Sequence, residues 1–118
     1  DLGSEEKIGP VFAEPQALFK LFVAILGILL EDAAEHSSVS IEIEKWENFL
    51  QFDFSNQGYG MPDESLQHYL FSNQAKVSEN FLQLNNVRSQ IEQWEGEFSG
   101  SSEVGQGISF TLKLKTLN

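Results

Sequence analysis

The sequence predicts an α/β (α+β) fold, a two-layer sandwich in which helices cover one face of a mixed β-sheet. Residues 15–36 and 79–95 place apolar side chains at helical spacing, so each predicts an amphipathic helix. Residues 39–46 and 108–117 alternate apolar and polar side chains, as half-buried strands do. The helical spacing and the strand alternation occur together in one short chain, which indicates helices that bury their apolar sides on a sheet.

The length of the chain sets the number of domains. It has 118 residues, 41% of them apolar, which is enough for one core and too little for two. Residues 1–8 are polar and predict a linker or a frayed end. We expect one domain at residues 9–118, cut from a larger protein.

The first half of this domain predicts a strand, a helix and a hairpin. Residues 11–13 form a short predicted strand, and Pro15 suits the first position of the helix that follows. That helix contains an uncharged run at residues 21–30, far shorter than the ~20 apolar residues of a membrane span. Only a short polar turn separates residues 39–46 from 48–54, so these two strands predict a hairpin.

The second half predicts two helices and two strands, separated by loops rich in Gly, Asn and other polar residues. The longer helix ends at Gly96, because glycine readily adopts the left-handed conformation found just after helices. The predicted elements are helices at 64–71 and 79–95 and strands at 97–101 and 108–117, with loops at 55–62 and 72–78 and a turn at 105–107.

Charge and composition exclude several classes of function. The chain has 7 basic and 18 acidic residues, and its formal net charge of −11 repels nucleic acid and anionic membranes. Cysteine is absent, which excludes disulfides and thiolate metal sites and is consistent with a reducing cytoplasm. We therefore expect a cytoplasmic domain that lies outside the membrane and does not bind nucleic acid.

Four short segments carry the functional signal through their order and spacing. They are ILLEDAAEHS at 28–37, NQGYGMP at 56–62, FLQLN at 81–85 and GQGISFTLKL at 105–114. In that order they resemble the N-L-L-x-N-A-x-K-H-S, D-x-G-x-G, G-L-G-L-A and G-x-G-x-x-F-x-x-x-L motifs of the ATP-binding domain of sensor histidine kinases, within the wider family that includes DNA gyrase. The resemblance covers nearly the whole chain.

The resemblance implies four nucleotide-binding positions, at Asp32, Asn56, Gly58 and Gly60. Asp32 replaces the second asparagine of the first motif, and its carboxylate is a weak candidate ligand for a magnesium ion. Asn56 replaces the aspartate that binds the adenine amine, and its amide oxygen still offers a weaker acceptor. The two glycines would permit close approach of the backbone.

Four other positions depart from the family in ways that oppose ATP. Ile28 replaces the first asparagine and offers no ligand atom, and Glu35 replaces a lysine and would repel a triphosphate. Phe81 and Gln83 replace the glycines at the start of a helix whose backbone N–H groups face the phosphates in the family. Side chains at those two positions are expected to obstruct the phosphate path.

The resemblance and these departures together favour a degenerate ATP-binding domain of a two-component or phosphorelay protein. It would act by contact with the helical dimerisation or phosphotransfer domain of the same protein, or with a response regulator, and would hold no catalytic residue and no ATP or Mg²⁺. An active but divergent kinase domain that binds ATP and Mg²⁺ is the alternative. A third hypothesis is that the vacated pocket binds another small molecule or partner.

Several polar and aromatic residues have ordinary explanations. His36 and His68 match no phospho-accepting motif and are expected at the surface. The acidic group formed by Glu31, Asp32 and Glu35 has two interpretations, a residual cation site and a solvated helix end, and we favour the solvated helix end. Trp94, near the end of the second long helix, is expected in the core.

Overall fold

The computed structural model describes residues 14–35, 37–71 and 84–116. Within them, three helices pack on a four-stranded sheet, which confirms the predicted α+β sandwich. The helices are α1 (Pro15–Asp32), α2 (Asp63–Phe71) and α3 (Leu84–Gln93), and the strands are β1 (Val39–Lys45), β2 (Phe49–Asn56), β3 (Glu97–Glu103) and β4 (Gly107–Lys115).

The described sheet is purely antiparallel, with the order β1-β2-β4-β3, so the expectation of a mixed sheet is corrected for these strands. The physical reason is the connectivity, since β1–β2 and β3–β4 are hairpins whose short turns reverse the chain. β4 then lies antiparallel to β2, with Phe54 opposite Phe110. The strand predicted at 11–13 lies outside the described residues.

The core occupies one face of the sheet. Alternate residues of β2 point toward the helices, and Phe22 of α1 meets the rings of Phe52 and Phe54 edge-on at 5.2 and 5.4 Å. Ile25, Ile28 and Leu29 of α1 are completely buried against this face. The rest of the core consists of Leu50, Leu66, Leu70, Leu84, Val87, Ile91, Phe98, Ile108, Phe110, Leu112 and Leu114.

Helix α1 ends at Asp32, a turn earlier than the predicted end at residue 36. Ala33 is extended and forms a β-bridge with Gly58, and the Ala34 N–H donates to the Gln57 carbonyl at 2.8 Å. The chain after Asp32 therefore pairs with the loop that follows β2 instead of continuing the helix.

The end of α3 differs from the prediction in one residue. Glu95, with φ of 62°, takes the left-handed position expected for Gly96. The Gly96 N–H donates to the Ile91 carbonyl at 2.9 Å, and a Cβ on Gly96 would overlap the Lys113 carbonyl oxygen. Glycine is needed here for close approach to β4. Trp94 is partly buried against the core, as expected.

Arg88 joins α2 to α3. Its Nε donates to the Leu70 carbonyl at 2.7 Å, and its guanidinium lies 4.7 Å from the centre of the Phe71 ring. A cation at the C-terminal end of α2 is favourable because that end carries partial negative charge. Of the helices in the described ranges, none has the length and apolar character that crossing a membrane requires.

Candidate functional site

The residues predicted to bind a nucleotide come together at one end of the sheet. Asp32 is the last residue of α1, and Asn56 is the last residue of β2. Gly58 and Gly60 lie in the loop that leads from β2 to α2. This loop, residues 57–62, runs between the end of α1 and the β3–β4 turn.

The side chain of Asn56 makes three hydrogen bonds, which connect β2 to two other elements. Its amide nitrogen donates to the Leu29 carbonyl of α1 at 2.8 Å and to the Asp32 carboxylate at 3.2 Å. Its amide oxygen accepts from the Ile108 N–H of β4 at 2.8 Å. Every polar atom of this amide thus has a partner within the protein, and the side chain joins α1, β2 and β4.

Asp32 is bonded in the same way. Its two carboxylate oxygens lie 3.1 and 3.2 Å from the Gly60 N–H, and its backbone carbonyl accepts from the Tyr59 N–H at 3.2 Å. A carboxylate is unfavourable at the C-terminal end of a helix because both carry negative charge. The N–H donors of the loop and of Asn56 offset that cost.

The glycines of the site are required by these close contacts. Gly60 has φ of +68°, and a Cβ there would overlap the Glu103 carbonyl oxygen. At Gly58 a Cβ would overlap the carbonyl and carboxylate oxygens of Asp32. At Gly107, φ is +129°, and a Cβ would lie 2.5 Å from the amide oxygen of Asn56. The sequence predicted that Gly58 and Gly60 allow close approach of the backbone. In the structure, the atoms that come close to them belong to other parts of this chain.

Two of the departing positions are described. Ile28 is completely buried in the core one helical turn before Asp32 and presents only carbon atoms. Glu35 is exposed in the turn just after α1. Phe81 and Gln83 lie outside the described residues, as does His36, and His68 is exposed on α2.

Among the described residues, the four lysines lie far from this end of the domain. Lys20 precedes Asp32 by 12 residues of helix, a distance of about 18 Å. Lys45 and Lys113 each lie six residues along their strands from the end that holds Asn56 and Gly107, about 20 Å away. Lys115 lies further along β4 and forms an ion pair with Glu95 at 2.8 Å.

Negative charge, in contrast, collects at the site. Five carboxylates belong to the segments that form this end of the domain, namely Glu31, Asp32, Glu35, Asp63 and Glu103. The described charged side chains at this end therefore oppose an anionic ligand. Across the described part of the chain, no group of three or more acidic or histidine side chains is arranged to hold a metal ion.

Ser102 is a site residue that the sequence did not indicate. Its hydroxyl accepts from the Met61 N–H at 2.8 Å and donates to the Gly107 carbonyl at 3.2 Å. Its backbone N–H donates to the Asp63 carboxylate at 3.0 Å. Ser102 thus fixes the exit of the loop to the β3–β4 hairpin. A serine in a strand is common, so the sequence pattern did not indicate a role for Ser102. Its partner Asp63 is an acidic residue of the kind typical of a helix start.

Comparisons with known proteins agree with this architecture. The model of the family described as histidine kinase-, DNA gyrase B- and HSP90-like ATPase matches residues 13–118. Among solved structures, three nucleotide-free forms of the catalytic domain of histidine kinase ThkA are similar, each covering 88% of this chain. The TM-scores of the three structures are 0.76, 0.73 and 0.71, and their sequence identities to this chain are 19%, 17% and 19%. The matched region covers 70%, 69% and 68% of the three ThkA chains. Identity this low shows the fold alone. No curated protein sequence matches the chain.

Proposed function

From the premise that this chain belongs to the histidine kinase-, DNA gyrase B- and HSP90-like ATPase family, we propose that it is a histidine kinase-type domain with a degenerate nucleotide site. It acts by protein contact within a two-component or phosphorelay protein in the cytoplasm. Its partners are the helical dimerisation or phosphotransfer domain of the same protein, or a response regulator. The isolated domain catalyses no reaction.

The observation that carries this proposal is the internal bonding of Asn56. An adenine amine needs an acceptor directed into the pocket, and the amide oxygen of Asn56 already accepts from the Ile108 N–H. Its amide nitrogen is directed at Leu29 and Asp32. A base that competes for this side chain must displace a bond within the protein, so its net gain in free energy is small.

The described residues at the phosphate end offer a magnesium ion a single ligand, Asp32, which already bonds within the protein. Mg²⁺ in such sites takes one or two carboxylates together with substrate phosphates and water. Here Ile28 offers no oxygen, and both carboxylate oxygens of Asp32 accept from the Gly60 N–H. The exposed Glu35 adds a further negative charge just after α1, at the position where the resemblance implies a lysine.

A titration of the 118-residue chain with ATP and Mg²⁺ tests the proposal, using calorimetry together with amide chemical-shift mapping. We expect no binding in the micromolar range and no localised shifts. Micromolar affinity with shifts centred on Asn56 and Gly60 would refute it. ADP and adenosine, titrated separately, show whether any residual affinity belongs to the base or to the phosphates.

The second candidate is a divergent but active kinase domain. Gly58 and Gly60 are retained, and a carbonyl oxygen has two lone pairs, so Asn56 keeps one acceptor position beyond its bond to Ile108. In that case Asn56→Ala abolishes nucleotide-dependent phosphotransfer to the helical domain of the intact protein. Absence of such transfer in the unmodified protein rules this candidate out.

A further inference from the structure

The edge strand β3 has one side on which no described strand pairs with it. It is the last strand in the order β1-β2-β4-β3, and β4 is its only partner among the described strands. In an antiparallel pair, alternate residues direct both the N–H and the carbonyl away from the neighbouring strand. Such an edge can pair with a strand of another chain and cause self-association unless it is protected.

Two side chains of α2 bond to backbone groups of this edge. The Asp63 carboxylate accepts from the Ser102 N–H at 3.0 Å, and the Gln67 amide nitrogen donates to the Gly100 carbonyl at 2.8 Å. Gly100 and Ser102 are two residues apart, so they direct their backbone groups to the same side of β3. Asp63 and Gln67 are four residues apart, which places them on one side of the helix. The helix therefore bonds to β3 where a further strand would pair.

Helix α2 is fixed in this position at both ends. At its start, the Ser102 hydroxyl accepts from the Met61 N–H, which ties β3 to the chain just before the helix. At its end, Nε of Arg88 in α3 donates to the Leu70 carbonyl at 2.7 Å. Leu66, between these two points, is completely buried in the core. The contact of α2 with the edge is thus held by the rest of the domain.

The two edge strands of the described sheet differ in charge. β1 carries Glu42, Glu44 and Lys45, and charged side chains disfavour pairing with another strand. β3 has glutamates only at its two ends, and its central residues, 98–102, are Phe-Ser-Gly-Ser-Ser, without charge or proline. The centre of β3 therefore lacks the protection that β1 has in its own sequence, and this is the part to which α2 bonds.

We propose that α2 closes the edge of β3 and thereby keeps copies of the domain from associating through strand pairing. The closing contacts are the Asp63–Ser102 and Gln67–Gly100 hydrogen bonds. Without them, the Ser102 N–H and the Gly100 carbonyl are available to a strand of a second copy. The inference does not depend on the proposed function, because neither Asp63 nor Gln67 is one of the four positions predicted to bind a nucleotide.

Two double variants of the 118-residue chain test the inference. Asp63→Ala with Gln67→Ala removes both contacts to β3. Glu64→Ala with His68→Ala is the matched control, since these two exposed residues have the same spacing one position later on α2. Each change removes one carboxylate from the first turn of α2, so both alter the interaction with the helix dipole alike.

Two measurements report on the edge. In dilute solution, amide hydrogen exchange at Ser102 should accelerate at least about tenfold in the Asp63/Gln67 variant, because its bond to a carboxylate is lost. Sedimentation is followed at rising protein concentration in about 0.15 M salt, which screens the repulsion between copies. It should show a shift to larger species that the control lacks. Asp63→Asn keeps an acceptor oxygen and should behave as the unmodified chain does.

Three results would overturn the inference. These are unchanged exchange at Ser102, self-association of the Asp63/Gln67 variant no greater than that of its control, and association whose newly protected amides lie outside β3. Circular dichroism and thermal unfolding verify that the chains remain folded. If the double variant unfolds, Gln67→Ala is compared with His68→Ala, and equal self-association of these two single variants also overturns the inference.

Discussion

The side-chain amide of Asn56 donates to the carboxylate of Asp32 across 3.2 Å, which joins the last residue of β2 to the last residue of α1. With the bonds of Asn56 to Leu29 and Ile108, this contact occupies the groups through which the resemblance implies a nucleotide would be held. The following predictions test whether these groups now serve the fold.

Asn56→Ala should lower the free energy of unfolding by about 2–4 kcal/mol, because it leaves the Leu29 carbonyl and the Ile108 N–H without a partner. Chemical denaturation measures the loss. Gln57→Ala, the adjacent exposed residue, should change stability by less than about 0.5 kcal/mol. Equal stability of the two variants would show that the amide has no structural role.

Asn56→Asp restores the family's aspartate and places two carboxylates within hydrogen-bonding distance. We expect the free energy of unfolding to fall by about 1–3 kcal/mol at neutral pH, because the two carboxylates repel each other. The loss should shrink as pH falls, because protonation of one carboxyl removes the repulsion. The double variant Asp32→Asn/Asn56→Asp should recover stability at pH 7, and failure to recover in a double-mutant cycle would contradict the coupling of this pair.

Gly60→Ala and Gly105→Ala form a matched pair. Both glycines have positive φ, +68° and +84°, but a Cβ at Gly60 overlaps the Glu103 carbonyl, whereas nothing lies within 4 Å at Gly105. In the Gly105 variant the free energy of unfolding should fall by only about 1 kcal/mol, the cost of placing alanine in the left-handed conformation. In the Gly60 variant the free energy of unfolding should fall by at least about 2 kcal/mol more, since the backbone at Glu103 must move. Thermal unfolding distinguishes them, and equal losses would contradict the close approach.

Ile28→Asn restores the family's asparagine at a completely buried position. This substitution should lower the free energy of unfolding by about 3 kcal/mol or more, because it places an amide without hydrogen-bond partners in an apolar core. Ile28→Val, which keeps the apolar character, should cost only about 1 kcal/mol. The asparagine variant should also fail to gain ATP binding in the titration, and a gain would show that Ile28 alone accounts for the lost site.

Sequence periodicity predicted most of the fold because the core uses simple patterns. Phe52 and Phe54 alternate with Gln51 and Asp53 along β2, and Ile25, Ile28 and Leu29 share one side of α1. The end of α1 was not predictable, because its helical pattern continues past Asp32 and the residues that pair with Gln57 and Gly58 instead precede them by 23 and 25 residues.

The sequence predicted which residues of the candidate site lie together, but it did not predict their hydrogen bonds. Motif spacing identified Asp32, Asn56, Gly58 and Gly60, and the fold brings all four together. The partners of Asn56 are a backbone carbonyl 27 residues before it and a backbone N–H 52 residues after it. A backbone group can bond in this way whatever the residue type, so the identities of Leu29 and Ile108 did not reveal their roles.

The three-way junction at Asn56 also bears on how this domain is maintained in the cell. A protein that needs its ligand to complete its structure unfolds more readily when the ligand is scarce, because binding and folding share one equilibrium. Here the chain supplies from its own backbone the partners of Asn56. If the proposed function holds, the folded fraction of this domain should therefore not depend on the concentration of ATP.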